Sequence, residues 1–505
     1  MSASSPFGDS AVVLSQEIVR TLVLLVCLHL AERDRALLSS VAASMLGPEE
    51  LQAFRASANS MAFVDIDRRP LVASVLDKLP APQSRVHAMG LLIRGIILGS
   101  PKSGYDARMR VALRLVAKDL RLNWNSDIVP CERSVALLLR RPQPVAAATS
   151  DAGWTAERVA YVGGASILGG IALAVTGGLA APAVGAVLGT LGSALGVGGG
   201  AVSAFLATGS GAVLVSTLFG AGGAGLSAYK MTRRTAALEE FFVLPVQADT
   251  TRLPGSELSV TMGISGWLAD EEPGRLARFW GAVFARVPGS DRLVVVYDRR
   301  ELVEYGDSLD SLIANQALGA LYKETAKHAL GAAIVGAFTL PVTVLQAISL
   351  VDNPFGIAKA RSQAAGVELA NALDSDHHGH RPVTLVGFGF GALAIFVCLE
   401  TLGRRGKRGV VENVFLMVTP AMIASERWRV AKSVVAGSLV NMFCEDDLVL
   451  QLIFRFRDPA GVCRVVADGV ENFSIAYTHF QLGEDPARVA QVLDDYAAAE
   501  RGQVG

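Results

Sequence analysis

Charge imbalance is missing from this chain. Across 505 residues, 46 Lys and Arg stand against 47 Asp and Glu, for a formal net charge of −1. Such a balance gives no electrostatic argument for nucleic acid, which is not expected as a partner. Cysteine is also scarce. The five present, Cys27, Cys131, Cys398, Cys444 and Cys463, form no C-x-x-C pair and no framework spacing. They read as reduced, intracellular thiols. A secretory leader is not evident either. The apolar run Thr21–Leu30 follows Glu17 and Arg20, contains His29 and has no small-residue cleavage site after it. An amphipathic core helix is the better reading.

Apolar residues and glycine are abundant instead. Hydrophobic residues make up 51% of the chain, there are 51 glycines, and mean hydropathy is +0.40. A chain of this length exceeds one hydrophobic core, so two or three domains are expected. Residues 1–150 form the first. Apolar side chains recur there at three and four spacing through Val12–Leu30, Ala36–Met45, Leu71–Leu79, Val86–Leu98 and Tyr105–Leu122. That is the period of amphipathic helices. Leu79-Pro80 and Ser100-Pro101 punctuate them. No catalytic constellation occurs in this region, which reads as a helical scaffold.

The composition then changes abruptly. From Val159 to Tyr229 there is no charged side chain. Gly192, Gly196 and Gly200 recur every fourth residue, a spacing that lets helix backbones approach closely in lipid. Arg158 precedes the stretch, and Lys230, Arg233 and Arg234 follow it. Basic residues at both ends place both ends in the cytosol, which requires an even number of crossings. The expectation for residues 155–235 is a Gly/Ala-rich helical membrane hairpin turning within Pro182–Gly200. A buried, glycine-rich soluble hairpin is the rival.

From Leu258 onward short apolar runs alternate with amphipathic segments. Strands are expected at Leu258–Ile264, Leu293–Tyr297, Val383–Gly387, Val414–Val418, Leu439–Phe443 and Cys463–Ala467. Helices are expected at Gly274–Arg286, Ile357–Leu373, Gly391–Leu402, Glu426–Val435 and Pro486–Ala499. Such alternation predicts an α/β domain over 240–505, a parallel sheet with helices on both faces. One uncharged insert, Ala329–Val351, interrupted by Pro341, breaks the rhythm. It reads as a second membrane-dipping hairpin, a lid, or a buried helix.

The informative segment is Gly387-Phe388-Gly389-Phe390-Gly391, between an expected strand and an expected helix. It has the form of the G-x-S-x-G nucleophile elbow of α/β-hydrolases, in which small residues flank a sharp turn. Gly387 and Gly391 meet that need. The nucleophile position is Gly389, which has no side chain to react. Gly387, Gly389 and Ala392 also fit G-x-G-x-x-A. A dinucleotide site, however, needs an acid at the end of the next strand, and that strand ends in Thr419-Pro420. Hydrolase chain order runs nucleophile, acid, histidine. After the strand Leu439–Phe443 come Glu445, Asp446 and Asp447, and the only histidine downstream of the elbow is His479. The loop Gly263–Leu268 stands where one oxyanion-hole amide belongs, that of Trp267, with Phe390 supplying the other. The cluster His377, His378 and His380 sits in a polar loop without distal ligands and reads as exposed, so no metal and no cofactor are expected.

Together these residues resemble the transmembrane and coiled-coil domain-containing protein 4 family, also called domain of unknown function 726. The matching stretches are Ser216–Met231, Glu239–Pro245, Gly266–Leu268, Asp352–Gly356 and Arg381–Phe388, with Tyr105–Arg108 extending the likeness toward the N-terminus. The resemblance implies an intracellular membrane protein with a lipase-like α/β-hydrolase domain in the cytosol. The family elbow typically reads G-F-S-L-G-A, and by the resemblance the acid is Asp447 and the base His479. Here the departure is confined to Gly389 and Phe390. The expected function is therefore a membrane-associated pseudohydrolase that binds a lipid, an acyl ligand or a protein partner. The rivals are a lipid-ester hydrolase using a water activated by His479 and Asp447, and a structural membrane-trafficking protein.

Overall fold

The computed structural model describes residues 14–59, 67–99, 104–139, 238–246, 257–314, 342–375, 380–421, 423–445, 447 and 465–502. The uncharged stretch Val159–Tyr229, most of the insert before Val342, and His377 and His378 lie outside the described residues. Among the described residues, no helix is long and apolar enough to cross a membrane.

The N-terminal part is helical. Its elements are α1 (Gln16–His29), α2 (Leu38–Met45), α3 (Pro48–Asn59), α4 (Arg69–Lys78), α5 (Pro82–Gly99), α6 (Ala107–Asp119) and α7 (Val129–Leu139). Caps define several boundaries. The Ser15 hydroxyl accepts from the Ile18 amide at the start of α1, and the Asp106 carboxylate accepts from Arg108 at the start of α6. Apolar faces of α1, α2, α5 and α6 form one core that includes Leu22, Leu25, Ile93 and Leu113. The sequence pattern predicted five of these helices and missed α3 and α7.

The C-terminal part is α/β. A seven-stranded sheet runs in the order β1-β3-β2-β4-β5-β6-β7. Its strands are β1 (Phe241–Pro245), β2 (Val260–Ile264), β3 (Asp291–Tyr297), β4 (Val383–Phe388), β5 (Val411–Met417), β6 (Leu439–Phe443) and β7 (Val470–Ser474). Among the described strands only β1 is antiparallel to its neighbour, and the other pairings are parallel. β2 and β6 are buried along their whole length, as strands covered on both faces must be. The covering helices are α8 (Pro273–Val283), α9 (Arg299–Ala314), α10 (Val342–Asp374), α11 (Phe390–Arg404), α12 (Ser425–Lys432), α13 (His479–Glu484) and α14 (Pro486–Gly502). α10 packs along both α9 and α11, while α8 packs on α14.

Two expectations change here. The final strand is Val470–Ser474, not Cys463–Ala467. Val466 is 84% exposed, so the more apolar run is not the one the sheet takes up. The helix expected at Ile357–Leu373 begins at Val342, directly after Pro341, and continues through Pro354. The end of the uncharged insert thus forms the first turns of α10.

The sheet order positions the site. The chain passes from β2 to β3 on one side, then crosses to β4 on the other. Where a parallel sheet reverses its winding, loops at the carboxyl ends of neighbouring strands separate and leave a crevice. Here the loops after β2 and β4 flank that point.

The helical layer meets the opposite, amino-terminal edge of the strands. Tyr105 N–H donates to the His380 carbonyl just before β4, and Ala107 N–H donates to the Gly409 carbonyl just before β5. Arg110 lies between Glu132 of α7 and Glu412 of β5. It makes a bidentate pair with Glu132 at 2.8 Å on each arm and reaches Glu412 at 2.6 Å. Arg114 adds a contact to Glu412 at 2.9 Å, and Tyr105 donates to Glu132 at 2.8 Å. Burial would push the Glu412 carboxyl up, but Arg110 and Arg114 outweigh it and hold it below the usual carboxylate range.

Candidate active site

The turn between β4 and α11 has the shape of an elbow, and glycines permit it. A side chain at Gly391 would run into the Ile264 carbonyl of β2. One at Gly387 would lie 2.9 Å from the Gly391 carbonyl carbon. One at Gly266 would strike the Phe388 carbonyl and lie 2.6 Å from the Phe390 nitrogen. In each case the added Cβ would meet backbone atoms, so no rotamer change relieves the contact.

Gly389 is different. Its φ of 56° and ψ of −129° lie in a region that L side chains rarely adopt. Its amide still donates to the Met417 carbonyl at 2.9 Å, which continues the β4–β5 ladder by one bond. Space beside it is nonetheless free. Among the described residues, a Cβ built there meets only Gly266 Cα at 3.5 Å and His479 Cβ at 3.9 Å, ordinary contact distances. The turn therefore has a backbone that side chains rarely adopt, and room for a side chain, at a residue that has none.

His479 arrives from the other end of the chain. Thr478 caps α13 through a reciprocal capping box with Gln481, which makes His479 the first helical residue. Its ring Nδ1 is 2.7 Å from Asp447 Oδ2, and its backbone N–H donates to that same oxygen at 2.8 Å. An ionised carboxylate only accepts, so Nδ1 carries the proton. Both residues are buried, His479 at 1% and Asp447 at 2% exposure. The structure thus places Asp447 against His479, and His479 beside Gly389.

The loop after β2 also faces this point. Trp267 Nε1 donates to the His479 carbonyl at 3.3 Å, and its ring stacks on Phe480 at 5.1 Å. Ser265 is fixed from both sides: its hydroxyl accepts from Trp280 Nε1 at 3.0 Å, and its carbonyl accepts from the Tyr297 hydroxyl at 3.3 Å. Among the described residues, the amides of Trp267 and Phe390 make no backbone hydrogen bond. The Phe390 N–H opens α11 beside Gly266, where an anionic or carbonyl oxygen is favoured.

Sequence reading missed two neighbours. Tyr305 of α9 and Phe355 of α10 close over Phe390, with ring centroids 4.9 Å and 5.0 Å from it. The helical spacing of Leu302, Tyr305 and Leu309 would have found α9, but not what Tyr305 touches. Of the histidine loop, His377 and His378 lie outside the described residues; His380 lends its carbonyl to the Tyr105 N–H.

Comparison with known proteins gives the site a context. A family described as "Protein of unknown function (DUF726)" matches residues 155–480. A rice protein (Oryza sativa subsp. japonica) named transmembrane and coiled-coil domain-containing protein STS1 is 33% identical over 74% of this chain and 58% of its own length. The uncharacterized membrane protein F35D11.3 of Caenorhabditis elegans is 30% identical over 77% of this chain and 62% of its own. The probable lipase MIL1 of Saccharomyces cerevisiae is 28% identical over 74% of this chain and 35% of its own. The chain therefore spans less than two thirds of the length of these relatives. No solved structure matches it.

Proposed function

The chain belongs to the family of proteins of unknown function numbered DUF726, and on that premise we propose that it is a membrane-associated pseudohydrolase. Its α/β part is an α/β-hydrolase-like domain over 240–505, its residues 1–150 a helical scaffold, and its residues 155–235 a Gly/Ala-rich membrane hairpin. In this reading Gly389 occupies the nucleophile position, Asp447 and His479 are the inherited acid and base, and Trp267 and Phe390 supply the oxyanion amides. The cleft binds a lipid, an acyl ligand or a protein partner without forming a covalent bond.

One observation carries this reading. Gly389 holds φ 56° and ψ −129° beside a buried Asp447–His479 pair, yet has no Oγ to attack a carbonyl. Ester hydrolysis by an elbow needs a hydroxyl that gives its proton to the histidine as it attacks. Glycine removes that step. Strand order supports the fold: an antiparallel edge strand, then a parallel sheet whose winding reverses at β2 and β4. Membrane association is supported by the names of the rice and nematode relatives and by the uncharged stretch. The yeast relative's name, probable lipase, favours a second reading, in which His479 and Asp447 activate water against a lipid ester.

Assay of the purified 505-residue chain in detergent against long-chain acyl esters separates the two. The pseudohydrolase reading predicts no turnover above that of His479→Ala, together with lipid co-purifying with the protein. Wild-type turnover abolished by His479→Ala would sink it. Membrane insertion predicts that the chain stays in the pellet after carbonate extraction, and release to the supernatant counts against it.

A further inference from the structure

One buried titratable group beside His479 has no task in the reading above: the phenol of Tyr305. It lies on α9, 174 residues from His479 in sequence, and its hydroxyl is 3.4 Å from His479 Nε2. Its ring packs against Phe390 at 4.9 Å and Phe355 at 6.1 Å, which also touch each other. Asp447 accepts from Nδ1, and in the tautomer which that bond selects the far nitrogen, Nε2, is an acceptor. The Tyr305 hydroxyl is then the donor. Burial, and after it the charge of Asp447, hold that phenol well above its usual pKa, so it keeps its proton.

Gly389 faces a different part of the same side chain. The Cβ position at 389 is 3.9 Å from His479 Cβ, and no atom of the imidazole ring lies within 4 Å of it. The root of the histidine is turned to the elbow and its far nitrogen to Tyr305.

We propose that Tyr305 is a positioning residue that has taken the place of the serine hydroxyl at the imidazole, capping Nε2 and closing a buried Tyr305–His479–Asp447 relay. The hydrolase-like reading of the site enters only in naming His479 a former base. Two consequences follow. The Asp447–His479 pair persists without a nucleophile because every polar atom of the imidazole is satisfied, and an unpaired acceptor in so buried a place is costly. A serine restored at 389 also has to compete with Tyr305 for its base.

The 505-residue chain in detergent tests this in two ways. In the first, imidazole nitrogen resonances are compared between wild type and Tyr305→Phe, which retains the ring and its packing. The expected result is a shifted His479 Nε2 resonance with the Nδ1–H signal to Asp447 retained. An Nε2 resonance that does not move overturns the proposal. In the second, Gly389→Ser and Gly389→Ser/Tyr305→Phe are treated with a fluorophosphonate. The serine oxygen forms the bond to phosphorus, fluoride leaves, and the hydroxyl proton passes to Nε2. The double variant is expected to label about tenfold faster or more. Labelling of both variants at equal, measurable rates overturns the proposal. If neither variant labels while Tyr305→Phe still moves Nε2, the cap stands and the hydrolase-like reading of the site fails.

Discussion

Asp447 holds His479 twice through one oxygen. Oδ2 accepts from Nδ1–H at 2.7 Å and from the His479 backbone N–H at 2.8 Å. A single carboxylate therefore fixes both the imidazole and the first turn of α13. Replacing it by Ala leaves two buried donors unpaired, each worth roughly 1–3 kcal/mol. Chemical denaturation should show Asp447→Ala destabilised by an amount in that range or above. A change under about 0.5 kcal/mol, the usual size for an unremarkable surface substitution, would mean that the pair is not structural.

Glycines at the elbow should divide into two classes. At Gly389 the backbone is strained for any side chain, but the space is open. Gly389→Ser is expected to cost about 1–3 kcal/mol from conformation alone. At Gly391 the obstacle is the Ile264 carbonyl, so even Gly391→Ala forces β2 and α11 apart. Its cost should be on the order of 3 kcal/mol or more. Denaturation midpoints of the two variants compare them directly, and Gly391→Ala the milder of the two would contradict the geometry.

Arg110 is the most exposed test of how the helical layer is joined to the sheet. Arg110→Met leaves Glu132 and Glu412 facing each other in a buried place without their shared counter-ion. Breaking such a network from one side costs roughly 3–5 kcal/mol. Adding Glu132→Gln and Glu412→Gln should restore part of the loss. Unfolding curves of the single and triple variants would reveal it; a triple variant no better than the single one counts against charge as the cause.

Stability should also fall in mild acid. Burial lowers the pKa of His87, on α5, below its usual 6.5. The unfolded chain then takes up the proton first. Stability from this residue is intact above about 6.5 and is lost as pH falls from there through the folded value. Glu412, held below the usual carboxylate range, acts in a lower window. Its contribution is present above its unfolded pKa near 4.5 and is lost as pH drops through the folded one. Thermal melts between neutral pH and about pH 5 should show a decline that His87→Gln reduces. An equal decline in that variant would assign the effect elsewhere.

Much of the α/β part is legible in the sequence because parallel central strands are buried on both faces. β2, β4 and β6 are short, nearly unbroken apolar runs, and β6 coincides with its expected bounds. Edge strands lack that signal. β1 pairs on one side only and went unread. β7, with Glu471 and Asn472 exposed, lost to the more apolar but solvent-facing run near Val466. Helix α9 also went unread, although Leu302, Tyr305 and Leu309 recur at helical spacing among Arg299, Arg300, Glu301 and Glu304.

What the sequence determined by itself is the chemistry withheld at the elbow. Gly389 has no nucleophilic atom in any fold, and the order Gly389, Asp447, His479 follows from position along the chain. Only the tertiary structure decided where the histidine points. A local pattern sets backbone turns, because φ, ψ and capping depend on near neighbours. The direction of an imidazole nitrogen depends on which distant helix packs across it. Here α9 carries Tyr305 to Nε2, while Gly389 is left facing Cβ.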